Sequence, residues 1–319
     1  MTQAVSVAQY GSNNPTFRNR IINGAMGIWQ RGTTTGSVSG TTAPYMVDRF
    51  YGYAGTGNIT ISRSTDVPSG FQYSCSMVGT GVSITQRVES VNCTDLGGAT
   101  VTLSFWAKNS SGADNLQVSL YTATGGVDNW SSQTGTTNTV AASPSASWTY
   151  YTTTFTGIPA TATNGVGIGI GRGSGGSSTT LITGVQLEAG TTATPFEFRQ
   201  YGTELALCQR YYQVYNAGNQ SFPTFVTYVP NGDTRGGLTF PVTMRATPTI
   251  TFSTATWVCI GVGDVGAVVN VNPTVSVAGL TASGFGINVT NPSVFSPCSS
   301  SVASWGTNAN PTYYANAEL

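Results

Sequence analysis

Apolar residues recur at every second position along most of the chain. Ile59 and Ile61 share one side of their segment. Phe71, Tyr73, Cys75 and Met77 do the same, as do Val82, Ile84 and Val88 approximately. Val101, Leu103 and Phe105 face away from Thr100, Thr102, Ser104 and Trp106. Leu116, Val118 and Leu120 repeat the pattern, then Tyr151 with Phe155, then Val166, Ile168 and Ile170 alternating with glycines, then Val185 with Leu187. A period of two, broken by turn residues roughly every 8–12 positions, predicts an all-β sandwich from about residue 18 to residue 199.

One segment breaks the period. Leu205, Cys208, Tyr212 and Tyr215 fall at helical spacing, with Thr203 placed to cap and Glu204 in the positive first turn. This predicts a single short helix within 200–216 that joins two β domains. Beyond it Leu238, Phe240, Val242 and Met244 alternate, then Ile250 and Phe252. Trp257 and Cys259 follow, then Val269 and Val271, Val275 and Val277, and Phe285, Ile287 and Val289. A last strand starts at Tyr313 and Tyr314. Residues 217–319 therefore read as a smaller antiparallel sandwich or barrel, with Pro241 and Pro248 at edge or bulge positions. Residues 1–17 are polar and read as a docking arm. No short tandem repeat marks a β-helix or fibre shaft.

Composition narrows the chemistry. The chain has 319 residues, of which 8% are charged, and 12 Lys plus Arg balance 12 Asp plus Glu. There is no His, and Lys108 is the only Lys. Nucleic-acid binding needs clustered cations, which are missing. Without imidazole there is no Ser-His-Asp triad, no Cys-His dyad and no His metal site. No run of 18 apolar residues offers a membrane-spanning helix. Met1–Tyr10 lacks the basic and apolar regions of a signal peptide. A hydrophobic share of 39% still provides for sizeable cores. A surface of Thr, Ser, Asn and Gly stays wet but gives little repulsion, which favours assembly with other chains. The five cysteines, Cys75, Cys93, Cys208, Cys259 and Cys298, form no CxxC pair and read as buried free thiols made in a reducing cytoplasm. Pairing of Cys75 with Cys93 across neighbouring strands is the other option.

Three stretches resemble virion structural proteins of tailed bacteriophages. The first runs from Asn19-Arg20-Ile21-Ile22-Asn23-Gly24 to Trp29-Gln30-Arg31-Gly32, followed by Tyr45-Met46-Val47-Asp48-Arg49-Phe50. It is similar to the opening of a jelly roll of the carbohydrate-binding-module type. The second, Val185-Gln186-Leu187-Glu188-Ala189-Gly190 and on through Pro195-Phe196-Glu197-Phe198-Arg199, resembles its closing strand. The third joins Glu204-Leu205-Ala206-Leu207-Cys208-Gln209-Arg210-Tyr211-Tyr212 with Phe240–Pro248 and Ala315–Leu319, and resembles the C-terminal domain that follows such a module. The resemblance implies a homotrimer on the virion surface, in tail or head, with other virion proteins as partners. Related modules often hold a structural calcium through a carboxylate near the last strand. Here only Glu188 remains in that region, so no metal or other cofactor is expected.

Candidate residues follow from both readings. Asp48, Arg49, Glu197 and Arg199 lie where one domain opens and closes, and are expected to form structural ion pairs. No acid sits in a motif resembling a catalytic signature, so an enzyme is not expected. Gly165–Gly173 has a phosphate-loop spacing but no following helix, and reads as a strand closely approached by another backbone. Glycans stack their C–H faces on aromatic rings. Trp106, on the polar side of its strand, Trp130 in a Ser- and Asn-rich loop, and Trp148 with Tyr150 are the candidates for such a platform on host surface polysaccharide. The bland reading of each is a core or subunit-interface aromatic. Two roles remain: a tail fibre or receptor-binding protein whose weak sites are multiplied by copy number, or a head decoration that braces the particle.

Overall fold

The computed structural model describes residues 18–35, 38–39, 42–43, 45–54, 56–110, 115–142, 144–173, 178–216, 227–228, 233–252, 257–261, 268–271, 274–290, 303–307 and 312–319. The arm at 1–17 and Cys298 lie outside them. The chain divides into two compact units, Met1–Leu205 with Leu319, and Ala206–Glu318. The helix expected between two β domains straddles that division.

Among the described residues the first unit carries twelve strands: β1 (Val38–Ser39), β2 (Thr42–Ala43), β3 (Tyr51–Tyr53), β4 (Thr56–Ser64), β5 (Ser74–Thr80), β6 (Ser83–Val88), β7 (Val101–Asn109), β8 (Leu116–Ala123), β9 (Gln133–Ala141), β10 (Thr149–Phe155), β11 (Val166–Arg172) and β12 (Thr180–Ala189). They form two six-stranded sheets, ordered β1-β4-β5-β12-β7-β10 and β2-β3-β6-β11-β8-β9. Every pairing within them is antiparallel. The fold is an all-β, jelly-roll-like sandwich. Its core is the inward set the alternation marked: Ile59, Ile61, Cys75, Met77, Val101, Leu103, Phe105, Val118, Leu120, Ile168, Ile170 and Leu187. Phe71 and Tyr73 depart from that set. They precede β5 and are only partly buried, because the strand and its inward register begin at Ser74.

The opening segment is tied to the closing strand. Asn19 Oδ1 accepts the Ile21 and Leu187 amides at 2.9 and 3.1 Å, and its Nδ2 donates to Val185 O. Asn23, at φ 60°, bonds the Ile28 amide and donates to the Ile28 and Asp48 carbonyls. Gln86 reaches from the inner face of β6 to satisfy both the N–H and C=O of Ile22, each at 2.8 Å. These side chains stand in for the ladder that an irregular buried segment lacks. Gly24 is required here: a Cβ would fall 2.1 Å from Val185 O.

The second unit has strands β13 (Tyr212–Asn216), β14 (Thr227–Tyr228), β15 (Asp233–Thr239), β16 (Thr249–Phe252), β17 (Trp257–Gly261), β18 (Val268–Val271), β19 (Thr274–Thr281), β20 (Gly284–Thr290), β21 (Ala303–Thr307) and β22 (Thr312–Asn316). They pair as β13-β22-β16, β14-β15-β20-β19 and β18-β17-β21. Leu238, Phe240, Met244, Phe285, Tyr313, Ala315 and Ala317 make its described core.

Two further expectations are corrected. The helix, α1, spans Tyr201–Gln209 and not the run to Tyr215. Tyr212–Asn216 instead pairs with Thr312–Asn316, where aromatic and β-branched side chains suit a ladder. Thr203 lies inside the first turn, since Glu204 N already donates to Gln200 O. Second, Phe240–Met244 is not a strand continuation. β15 ends at Thr239, and Pro241 lies in the turn that follows.

Candidate functional site

On β7 the even positions point away from the core. Trp106 and Tyr150 are direct partners across the β7–β10 ladder. Their rings lie 5.4 Å apart at 51°. Directly behind them Phe105 stacks on Tyr151 at 5.9 Å, on the core side of the same strands. Inward aromatics thus brace outward ones. Tyr150 is 40% exposed.

A polar cluster borders the pair. Trp148 donates its indole N–H to Asp66 Oδ1 at 2.9 Å, and Lys108 Nζ contacts Asp66 Oδ2 at 2.7 Å. Trp148 and Lys108 share the outward face with Trp106 and Tyr150. The Lys108 ammonium and the Trp148 N–H hold the Asp66 carboxyl below its ordinary value. Asp66 therefore stays ionised and fixes both side chains. Sequence reasoning missed it, because it sits in a loop remote in sequence from both partners.

On the other side of Trp106 the aromatic surface continues. β12 bulges between Thr183 and Gln186, with Gly184 at φ 64°. A Cβ at Gly184 would meet Phe71 Cζ at 2.7 Å and Trp106 Cδ1 at 3.1 Å. Phe71 in turn lies 5.3 Å from Phe196 and 5.2 Å from Phe198, and Phe198 is 60% exposed. The result is a row of rings from Tyr150 through Trp106 and Phe71 to Phe198.

Three of the four glycan candidates, Trp106, Trp148 and Tyr150, thus share one face. Trp130 does not join them. It lies over β11 in the opposite sheet, with ring atoms 3.2 Å from the Cβ positions of Gly165 and Gly167 and the Arg87 guanidinium 4.9 Å from the ring. Its contacts are those of a ring filling the space the glycines leave. Among the glycines of this stretch backbone comes nearest at Gly171, whose Cβ would lie 2.2 Å from Val82 O.

The charged residues at the domain ends each engage other partners. Asp48 is buried and accepts from the Gln30 amide at 3.0 Å, with Arg31 at 3.8 Å. Arg49, buried at φ 74°, donates to Arg87 O. Glu197 accepts the Asn19 amide at 2.8 Å. Arg199 pairs with Glu204 at 3.3 Å and donates to the Ile21 and Asn19 carbonyls. Glu197, Arg199 and Glu204 line a cleft of about 140 Å³ with Asn19, Phe198 and Tyr201. Glu188 is buried, its oxygens engaged by Gln186 Nε2 and by the amide and hydroxyl of Thr194. Three protein donors thus engage its two oxygens. Among the described residues no group of three metal-ligating side chains is gathered.

Cys75 and Cys93 do not pair; they and Cys208 are buried free thiols. Cys75 lies within β5 and Cys93 follows the 3-10 turn Ser90–Asn92, so the two do not face each other across a ladder.

No family model matches the sequence, and no curated protein matches it. Solved structures give partial fold likeness. An enzymatically active tailspike domain of bacteriophage CBA120 is 16% identical over 54% of this chain, with a TM-score of 0.35. This chain covers 22% of that one. A sugar-binding protein of Bacteroides thetaiotaomicron, itself described only as putative, is 12% identical over 54% of this chain and 100% of its own, at 0.37. A xylan-binding domain of Paenibacillus barcinonensis is 11% identical over 52% of this chain and 100% of its own, at 0.34.

Proposed function

We propose that this chain is a non-enzymatic virion protein of a tailed bacteriophage, a tail fibre or receptor-binding protein that grips host surface glycan. The observation that carries the adhesion reading is the Tyr150–Trp106 pair. Two rings stand out from a rigid ladder, flanked by a fixed Trp148–Asp66–Lys108 cluster. Rings of this kind offer a stacking surface to sugar C–H faces, and the neighbouring carboxylate and ammonium offer hydrogen bonds to hydroxyls. The phage origin rests on the three sequence stretches quoted above. The non-enzymatic reading is supported by the two cleft glutamates. Glu197 and Glu204 serve backbone amides and Arg199, which is a structural use of a carboxylate.

The test is isothermal titration against polysaccharide extracted from candidate host surfaces, with the folded full chain. Trp106→Ala and Tyr150→Ala are expected to weaken binding at least tenfold, and no new reducing ends should form on prolonged incubation. Binding indifferent to both substitutions would remove this face from the proposal, and glycan cleavage abolished by Glu197→Gln would make the protein an enzyme. Competition decides the particle role. A receptor-binding protein blocks adsorption of the virus when added free, whereas a head decoration leaves adsorption unchanged.

A further inference from the structure

The lateral edge of the second sheet is built unlike a protected edge. β9 is its last strand, paired on one side with β8. It runs nine residues, Gln-Thr-Gly-Thr-Thr-Asn-Thr-Val-Ala, and Gln133 through Thr137 are all exposed, whichever face they point to. Natural edges are blunted by charge, by proline, by brevity or by a cover. β9 has no charge and no proline. From Asn115 to Gly171 the only charged residue is Asp128. Asp128 is itself engaged, accepting from the Ser90 amide and hydroxyl. Among the described residues no backbone hydrogen bond leaves β9 on the side away from β8. Asn138 bonds the Thr153 hydroxyl of β10 at 3.1 Å, a contact on the inner side of the edge, so that among the described residues the lateral side is open.

We infer that β9 is the seam of a twofold dimer, pairing antiparallel with β9 of a second copy of this chain. Self-pairing is what the sequence of the strand permits. Centred on Thr137, the pairing sets Thr137 against itself, Thr136 against Asn138, Gly135 against Thr139 and Thr134 against Val140. A twofold axis places like against like, so a charged residue near the centre would face its own copy; β9 carries none. Thr–Thr and Thr–Asn pairs are favourable cross-strand partners. Chain-to-chain bonding would use the open backbone groups and bury residues now wet on both faces. One strand pair is a small interface, so association is expected in the micromolar range. The trimer implied by the sequence resemblance is not what this edge favours.

The test uses the full chain without glycan. Light scattering on a gel-filtration column at tens of micromolar is expected to give a dimer, with β9 amides slowing in hydrogen exchange as concentration rises. Thr137→Lys sets two ammonium groups face to face and should weaken association at least tenfold, while far-ultraviolet circular dichroism is unchanged. If that variant fails to fold, the concentration dependence of exchange in the wild type decides. A monomer at every concentration overturns the inference. So does any oligomer whose β9 amides exchange as fast as those of the monomer. Glycan titration of Thr137→Lys keeps the two proposals separate, since loss of the dimer leaves the Trp106 face intact.

Discussion

Gly184 shows how one residue sets the geometry of the aromatic row. At φ 64° it occupies the left-handed region, and its missing side chain is the floor on which Phe71 and Trp106 rest. Gly184→Ala has to meet backbone strain and ring displacement together, about 2–4 kcal/mol in all. The expected outcome is a lower melting temperature and altered Trp fluorescence, with glycan affinity falling alongside. Asp66 is the second deciding residue. A carboxyl held low in the folded chain stabilises it above the unfolded value. That contribution fades as pH drops through the folded value, here below 3.8. The Trp148 indole N–H resonance is therefore expected to shift with an acid midpoint under 3.8, and Asp66→Asn should abolish that titration. Burial pushes the Cys93 thiol up to about 12 and the Cys75 thiol higher still. Neither should react with Ellman's reagent at pH 8 until the chain unfolds. At this scale the sequence could put Trp148 and Tyr150 on one face and Trp106 on the polar side of its own strand, because strand alternation assigns faces; that the two strands are neighbours is set by the β7–β10 ladder. It could not separate Trp130 from them, since the glycines beneath it come from a strand more than thirty positions on.

Elements were legible where burial is one-sided. Alternation over Val101–Phe105 or Leu116–Leu120 has one reading, because the inward face meets the other sheet. It failed at the Leu205–Tyr215 run, where a helical spacing spanned two elements. The end of α1 is set by tertiary pairing: Tyr212–Asn216 finds β22, a partner about a hundred residues away. Local spacing carries no record of that. The opposite end of the helix is set by Glu204, which takes the Asn23 amide and faces Arg199. Glu204→Ala would leave an amide and a shielded guanidinium short of an acceptor. A loss of about 2–4 kcal/mol is expected, read as a lower urea midpoint with the slope unchanged. Glu204→Gln, which keeps an acceptor, should recover part of it.

Over the whole molecule the scarcity of charge has a measurable consequence. Salt acts on exposed charges and scarcely reaches shielded ones. Two of the described ion pairs, Arg20–Asp95 and Lys108–Asp66, stand in solvent, and such pairs contribute only up to about 1 kcal/mol each. Arg31–Asp48 and Arg199–Glu204 are largely shielded. With 12 cationic and 12 anionic side chains the long-range terms also cancel. Stability must then come from the two apolar cores and from hydrogen bonds among neutral groups, neither of which is screened. Raising sodium chloride from 0.05 to 0.5 M is accordingly expected to move the melting temperature by no more than about 2 °C. The same insensitivity should hold for association through β9, because its seam is made of threonine, asparagine and backbone. A dimer that falls apart on adding salt would mean that charged residues outside β9 hold it together, and the seam would have to be sought elsewhere on the chain.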